Sequence, residues 1–472
     1  MAKKIAVLGA GLSGLASANL LAKAGHKVTV FESNGWIGGK SRRFEDSDWR
    51  FDTGPAIVTF PRMLILYDTL YNSLGQRTHE TLELDLIRLP EIGRYFFRGE
   101  EVVLPIPEGH KWHKSWERFE KEHATLNLSV EDLMVMDPTD PRTLPAVGKL
   151  LGKYGLNLTT KKYLDSLSWM DEDLKEIIAI HTLNAGVAPN DSLALYASLT
   201  AIMANDGVYV PKGGVNQLAR ALHRKATFWG AEFRLNTPVL KLSKKTVHTK
   251  DSEEEFDLVI SSVDPSVLKR LRTGKEEKWG KRSCSGVAIY SLLKEPLPEG
   301  TCMHSVIMPD QPDLMHQALA ENRPPEQTMT FVNYYLPQEI YPNVAPSIAV
   351  LLTAPSDGQS YDMDSPWVSA ELDRITKVMN LPKNIREYFD EEVGVVLDPE
   401  YFGSFGANGG ALYGRTRKLW ISGPFRLPPY NNPFRPWLWQ VGAAVHPGGG
   451  IPAILGGVII STRRLLKKLA SK

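Results

Sequence analysis

Apolar positions near the start of the chain form two short unbroken runs, Ile5-Ala6-Val7-Leu8 and Val28-Thr29-Val30, with a helix-like stretch between them. The pattern predicts strand, tight glycine turn, helix and second strand, the acid Glu32 closing that second strand. Residues 61–74 predict a helix opened by Pro61 and closed by Gly75, and residues 87–104 predict short strands around Tyr95-Phe96-Phe97. Residues 108–204 read as mostly helical. Trp112, Trp116 and Phe119 recur there at helical spacing, as do Leu195, Leu199 and Ile202; such a stripe is either core or the wall of an apolar channel or membrane-touching face. Beyond it the pattern returns to the type seen at the start: 207–214 leads into a helix over 216–225, followed by strands at 232–235, 238–242 and 257–262. Strands at 286–293, 328–336 and 347–353 alternate with helical pieces such as 367–379.

The turn after the first strand is Gly9-Ala10-Gly11-Leu12-Ser13-Gly14, with Ala18 one helical turn on. Gly9 permits a sharp exit from the strand. Gly11 lets backbone approach a pyrophosphate, and Gly14 with Ala18 lets the helix lie close on a sheet. The helix N-terminus offers unpaired N–H groups to an anion, and Glu32 can accept hydrogen bonds from an adenosine ribose. The alternative is a βαβ unit that needs these glycines only for packing. An acid at 32 disfavours a 2′-phosphate. Gly38-Gly39-Lys40, shortly after it, gives more backbone approach along an extended pyrophosphate and points to FAD.

The chain has 472 residues and a formal charge of +1, enough length for two or three domains and no bulk field to attract nucleic acid. Its two cysteines, Cys284 and Cys302, form no CxxC, which argues against a disulfide framework, a cluster or a structural metal and places the protein in a reducing cytosol. No signal peptide is expected ahead of the glycine turn. Residues 436–462 carry no Lys, Arg, Asp or Glu, but three prolines and six glycines interrupt them, so a strand, a glycine turn and a short helix fit better than a membrane span. No nucleophile elbow, HExxH, Walker loop or metal spacing is present, and no metal is expected.

Taken together these pieces resemble a known family: flavin-dependent carotenoid desaturases of the bacterial phytoene-desaturase type, within the amine-oxidase-like flavoprotein group. The matching stretches are 9–14 with Glu32, Gly38-Gly39, Phe51-Asp52-Thr53-Gly54-Pro55, 207–214, 257–264 and, most specific, Val441-Gly442-Ala443-Ala444-Val445-His446-Pro447-Gly448-Gly449-Gly450-Ile451-Pro452. The resemblance implies an α/β fold: a Rossmann-like FAD-binding domain assembled from discontinuous segments (1–85, 205–285 and 403–472) and a mixed-sheet and helical substrate domain (86–204 and 286–402). It further implies that Gly9, Gly11, Ser13 and Gly14, with Ala10 between them, hold the pyrophosphate. Glu32, with Ser33 beside it, would bind the ribose, and Gly38 and Gly39 would line the cofactor. Lys40 would sit near the phosphates, where the family usually has Arg. Gly54 and Pro55 would approach the flavin and Val239 the adenine. Gly442 and Ala443 would touch the ribityl–phosphate region, and Ile451 and Pro452 the isoalloxazine edge. Residues 409–414 resemble the subgroup acting on hydroxylated acyclic carotenoids, the hydroxycarotenoid 3,4-desaturases.

The implied reaction removes two hydrogens from adjacent carbons of an acyclic carotenoid, one as hydride to flavin N5 and one as a proton. The neighbouring polyene spreads the developing cation, so positioning and water exclusion matter more than a strong base. His446 is the one ionisable residue in the closing glycine string. It either orients flavin or relays the proton, or it is a turn histidine bonded to backbone. Asp52 reads as a cap of the following turn, and no catalytic base is assigned. Oxygen or a membrane quinone is the expected electron acceptor, and peripheral membrane contact is expected of a cytoplasmic protein with a lipid-borne substrate. Arg463 to Leu469 would meet anionic headgroups or else form a solvated helix end. Related outcomes stay open: carotenoid isomerase, retinoid saturase, amine or protoporphyrinogen oxidase, or a redox-silent FAD-binding lipid carrier.

Overall fold

The structure, a computed structural model, describes residues 1–277, 280–416 and 430–471. The N-terminal pattern folds as its periodicity dictates: strand Lys4–Leu8, helix Leu12–Lys23 and strand Lys27–Phe31, the two strands parallel with Val7 opposite Val30. They form the middle of a six-stranded sheet. Leu258–Ser261 and then Arg435–Gln440 lie on one side, Glu232–Arg234 on the other, all parallel, and Asn431–Asn432 closes an edge antiparallel. Three widely separated parts of the chain thus share one sheet. Helix Leu12–Lys23 is buried along its whole length between helices Asn216–Phe228 and Ile451–Ala470. That crowding explains its small residues, Gly14, Ala16, Ser17 and Ala18.

A second sheet has seven strands in the order Phe389–Leu397, Ser285–Leu293, Ser347–Ala354, Thr330–Tyr335, His304–Ile307, Gly93–Phe97 and Glu100–Leu104. Alternation along the strands gives it two different faces. Val287, Ile289, Val332, Val350 and Leu352 pack with Val368, Leu372 and Ile375 of helix Pro366–Val378. Ala288, Tyr290, Phe331, Asn333 and Leu351 face the other way, into a cavity. The long predicted helical region is present as a series of helices from His113–His123 to Leu199–Asp206. Trp112, Trp116 and Phe119 are core, whereas Leu195 and Leu199 are partly buried and line that cavity.

Just after Gly207, Tyr209–Pro211 pairs antiparallel with Leu86–Arg88. One local expectation needs correction. The helix after the closing glycine string is long, Ile451–Ala470, rather than short. Pro452 sits in its first turn, where a missing N–H costs nothing. Gly456 and Gly457 do not break it because they serve packing: a Cβ there would stand 2.2 Å from the Met134 carbonyl oxygen or 2.8 Å from that of His446. Among the described residues no helix is long and apolar enough to cross a membrane.

Candidate functional site

A cavity of about 940 Å³ is lined both by the glycine turn of the first sheet and by the free face of the second. Such a volume lies at the upper end of ordinary ligand pockets, roughly 300–1,000 Å³. Every residue expected to contact the cofactor lines it except Ala10 and Gly14, and His446 lines it too: Gly9, Gly11, Ser13, Glu32, Ser33, Gly38, Gly39, Lys40, Gly54, Pro55, Val239, Gly442, Ala443, Ile451 and Pro452 are all in the wall.

The glycine turn divides its labour in a way the structure makes explicit. Gly9 has φ +94°, a conformation open to glycine, and its N–H donates to the Phe31 carbonyl at 2.8 Å. A Cβ on Gly14 would sit 2.0 Å from the Gly9 carbonyl oxygen, so this glycine is needed for the helix to lie on the strand. Gly11 is different: a Cβ there would meet nothing within 4 Å. Its smallness serves the cavity, and packing alone does not require it. No side chain caps the helix that begins after it, so its first N–H groups are free to serve an anion. The second glycine pair closes over the turn. Gly38 N–H donates to the Ala10 carbonyl at 2.8 Å, and a Cβ on Gly39 would come within 3.2 Å of Gly11 Cα.

Ala10 stays out of the cavity but fixes its acid: its N–H donates to Glu32 Oε2 at 2.7 Å, while Glu32 Oε1 accepts from the backbone and side chain of Asn34 at 2.9 and 2.8 Å. The Glu32 carbonyl accepts Thr237 N–H at 2.8 Å, which brings Val239 alongside. From the far end of the chain, Val441 N–H donates to the Ser261 carbonyl at 2.9 Å, and a Cβ on Gly442 would stand 3.1 Å from Ser13 Oγ. The closing string therefore abuts the opening turn.

A second cluster surrounds Gly54, whose N–H donates to the Tyr290 hydroxyl at 3.0 Å. A Cβ on Gly54 would hit the Lys40 carbonyl oxygen at 2.6 Å. The Lys40 ammonium donates to the Leu412 carbonyl at 2.5 Å and reaches that of Ala411 at 3.5 Å, so it ties down the 409–414 segment rather than the glycine turn. Burial lowers its pKa to about 8, with Asp264 opposing the shift. Asp52 is more than a cap of its own turn. It takes Arg43 Nε at 2.7 Å and Nη2 at 3.1 Å, and also accepts Asn216 N–H at 2.8 Å at the head of helix Asn216–Phe228. His446 is buried, and its Nε2 donates to the Leu133 carbonyl at 2.9 Å; the Tyr430 hydroxyl donates to its carbonyl at 2.8 Å.

Charge is distributed unevenly around the cavity. Among the described residues its charged lining is Glu32, Lys40, Asp264, Arg270, Glu277 and Arg415; the helical region and the seven-stranded sheet contribute no Asp, Glu, Lys or Arg to the wall. There the lining is Ile92, Val130, Leu133, Met134, Leu195, Leu199, Met203, Phe331 and Leu351, interrupted by His181, Asn184, His304 and Asn333. Burial pushes the His181 imidazole down to about 3 and lowers that of His304, so both are neutral near pH 7. Cys284, also in the wall, is pushed up to about 12 by burial, which leaves it an inert thiol. Sequence reasoning did not find Tyr290, His181, His304 or Asn333. Each is a single residue in an otherwise ordinary strand or helical stretch, and a strand's two faces had to be assigned before it could stand out.

The cavity fits FAD on these observations: an uncapped helix N-terminus, an open cradle at Gly11, a fixed acid at the end of the second strand, and room continuing past the closing proline loop. Residues 12–292 match the family described as flavin containing amine oxidoreductase. The chain is 24% identical to a 1-hydroxycarotenoid 3,4-desaturase of Flavobacterium sp. (strain P99-3), covering 96% of this chain and 97% of the relative. It is 26% identical to a zeta-carotene-forming phytoene desaturase of Myxococcus xanthus, covering 98% and 94%. In fold it is similar to cyclohexylamine oxidase of Brevibacterium oxydans IH-35A, with a TM-score of 0.62, 13% identity and full coverage of both chains (100% each). The chain belongs to the flavin-containing amine oxidoreductase family and is an FAD-dependent oxidoreductase.

Proposed function

We propose that this enzyme desaturates carbon–carbon bonds of an acyclic carotenoid. The observation that carries the reading is the continuity of one cavity from the glycine turn into a wall of aliphatic and aromatic side chains that, among the described residues of the helical region and the seven-stranded sheet, holds no carboxylate or cation. Such a wall suits a long polyene, and the names of the full-length relatives point the same way. Bound FAD would supply a two-electron acceptor for the hydrogen removed. The residues 1–85, 205–285 and 403–472 would hold it, while 86–204 and 286–402 would enclose the polyene. Gly11 and the helix N-terminus would take the pyrophosphate, Glu32 the ribose, and Gly54 with Tyr290 would fix the loop beside the flavin. His446, bonded to backbone through Nε2, would position the closing loop. The neutral imidazoles keep the wall uncharged, so cation development is left to the polyene itself. Expression in a host that accumulates lycopene or its hydroxylated derivative should move the pigment maximum to longer wavelength. An unmoved spectrum with every acyclic carotenoid rejects the reading.

Peripheral membrane contact belongs to the same proposal, but not through the C-terminal stretch. Leu465 is buried, Leu466 and Leu469 pack on the core, and Arg464 pairs with Asp137. The helical region instead exposes Leu128, Leu144, Leu151, Leu156 and Leu158, Leu156 at 95%, beside Arg142 and Lys149. Val130, Leu133 and Met134, in the same helix as Leu128, line the cavity. Exposed leucines with nearby cations are the chemistry of a lipid-docking face. Leu144→Glu/Leu151→Glu should reduce co-sedimentation with phosphatidylglycerol vesicles about tenfold or more, since each buried leucine contributes ~1.5–3 kcal/mol. Undiminished sedimentation would remove this face from the proposal.

A further inference from the structure

We infer that the Tyr413 hydroxyl donates a hydrogen bond to the isoalloxazine ring of bound FAD and thereby raises its reduction potential. The inference rests on the expected place of that ring beside Ile451 and Pro452, and it adds a contact residue to the same site. Tyr413 belongs to the 409–414 segment, whose backbone is fixed at three points. Lys40 donates to the Leu412 carbonyl at 2.5 Å, Leu412 N–H to the Cys284 carbonyl at 3.0 Å, and Tyr413 N–H to Ser283 Oγ at 3.0 Å.

The ring is wedged between two glycines from distant parts of the chain. A Cβ on Gly449, in the closing string, would stand 2.5 Å from Tyr413 Cδ1 and 3.3 Å from Cε1. A Cβ on Gly186, just after Ile180–Ala185, would stand 2.7 Å from Cδ2. Neither position could carry a side chain with the ring in place. One edge of the phenol thus lies along the loop that opens helix Ile451–Ala470 and the other against the helical region, and the side chain lines the cavity where the two meet.

The hydroxyl is the part left over. Among the described residues it has no hydrogen-bond partner, and it keeps accessible surface on a half-buried side chain. Burial nevertheless pushes the phenol pKa well up, so that surface faces the cavity and not bulk water, and the group stays a neutral donor. Tyr290, the neighbouring phenol of the wall, uses its hydroxyl to accept Gly54 N–H. A hydrocarbon polyene has no lone pair to accept from Tyr413, whereas isoalloxazine carries carbonyl oxygens and ring nitrogens. A hydrogen bond donated to that ring stabilises it more once it has gained an electron pair than before, which raises the potential and favours hydride removal from a hydrocarbon.

The test compares wild type, Tyr413→Phe and a control, Tyr163→Phe, whose hydroxyl bonds His123 Nε2 inside the helical region. Each is purified with FAD and titrated spectroelectrochemically without substrate. Tyr413→Phe keeps the ring and its wedge, so FAD content should stay at the wild-type level while the midpoint potential falls by about 30 mV, the equivalent of a tenfold loss in the reduction equilibrium of a two-electron couple. Anaerobic bleaching by lycopene should slow about tenfold in kcat with KM unchanged, since the hydroxyl touches the flavin and not the polyene. Tyr163→Phe should move neither readout. An unshifted potential in Tyr413→Phe, or equal shifts in the two variants, overturns the hydrogen bond while leaving desaturation standing. A wild type whose flavin never bleaches with any acyclic polyene rejects desaturation instead, and the potentials then decide the role of Tyr413 on their own.

Discussion

Gly11→Val should give a folded protein that purifies without flavin. A Cβ at this position meets nothing within 4 Å, so the branched side chain enters the cavity without disturbing the sheet or helix. The fold should lose only about 1 kcal/mol, the cost of a poorer helix N-cap. The cofactor, in contrast, must bring a pyrophosphate against the backbone at that point, and FAD affinity should fall about a hundredfold or more, equivalent to ~2.7 kcal/mol. The checks are flavin absorbance per mole of protein and a urea midpoint close to wild type. Gly14→Ala supplies the contrast. Its Cβ would stand 2.0 Å from the Gly9 carbonyl oxygen, a backbone atom that cannot swing aside, so this variant should lose stability first, by roughly 1–3 kcal/mol or more. Undiminished flavin in Gly11→Val would sink the phosphate assignment. Equal stability losses in the two variants would mean that the turn serves packing only.

Asp52→Ala should be the most destabilising single truncation near the site. Its carboxylate and the Arg43 guanidinium are 2% and 4% exposed. Removing one partner leaves a buried cation, which costs about 3–5 kcal/mol. Asn216 N–H loses its acceptor as well, and the short strand Arg50–Asp52 leads straight into Thr53 and Gly54 in the cavity wall. Urea unfolding should therefore show a lowered midpoint, and flavin retention should weaken with it. The double variant Arg43→Met/Asp52→Leu should regain much of the stability, because apolar groups of similar size need no compensating charge. A wild-type midpoint for Asp52→Ala would show that the pair holds nothing.

Much of the nucleotide half was legible in the chain because its determinants are local. A strand, a glycine turn and an amphipathic or buried helix follow from neighbouring residues, and Gly9, Gly11, Gly14 and Glu32 have fixed offsets within one βαβ unit. The closing string was legible only through its resemblance to the family's C-terminal motif. The sequence did not reveal why the glycines differ. Gly14 and Gly11 look alike on paper, yet one faces a carbonyl and the other open space. The family resemblance implies Lys40 as a phosphate neighbour, and nothing nearby in the sequence shows that the carbonyls of residues 411 and 412, far away in the chain, accept from its ammonium. Leu195 and Leu199 fit either core or channel wall until the seven-stranded sheet appeared opposite them.

By itself the sequence determined the α/β class and the place of the glycine turn between the first strand and its helix. These are short-range patterns of backbone freedom and hydrophobic period, and the chain carries them whatever surrounds it. Only the tertiary structure decided which face of the second sheet meets the cavity, that the C-terminal glycine string abuts the opening turn, that Arg43 and Asp52 brace the strand leading to Gly54, and that Asn333 and His304 interrupt an apolar wall. Each of those depends on contacts between residues far apart in the chain, where strand register and burial, not sequence spacing, set which side chains share a surface.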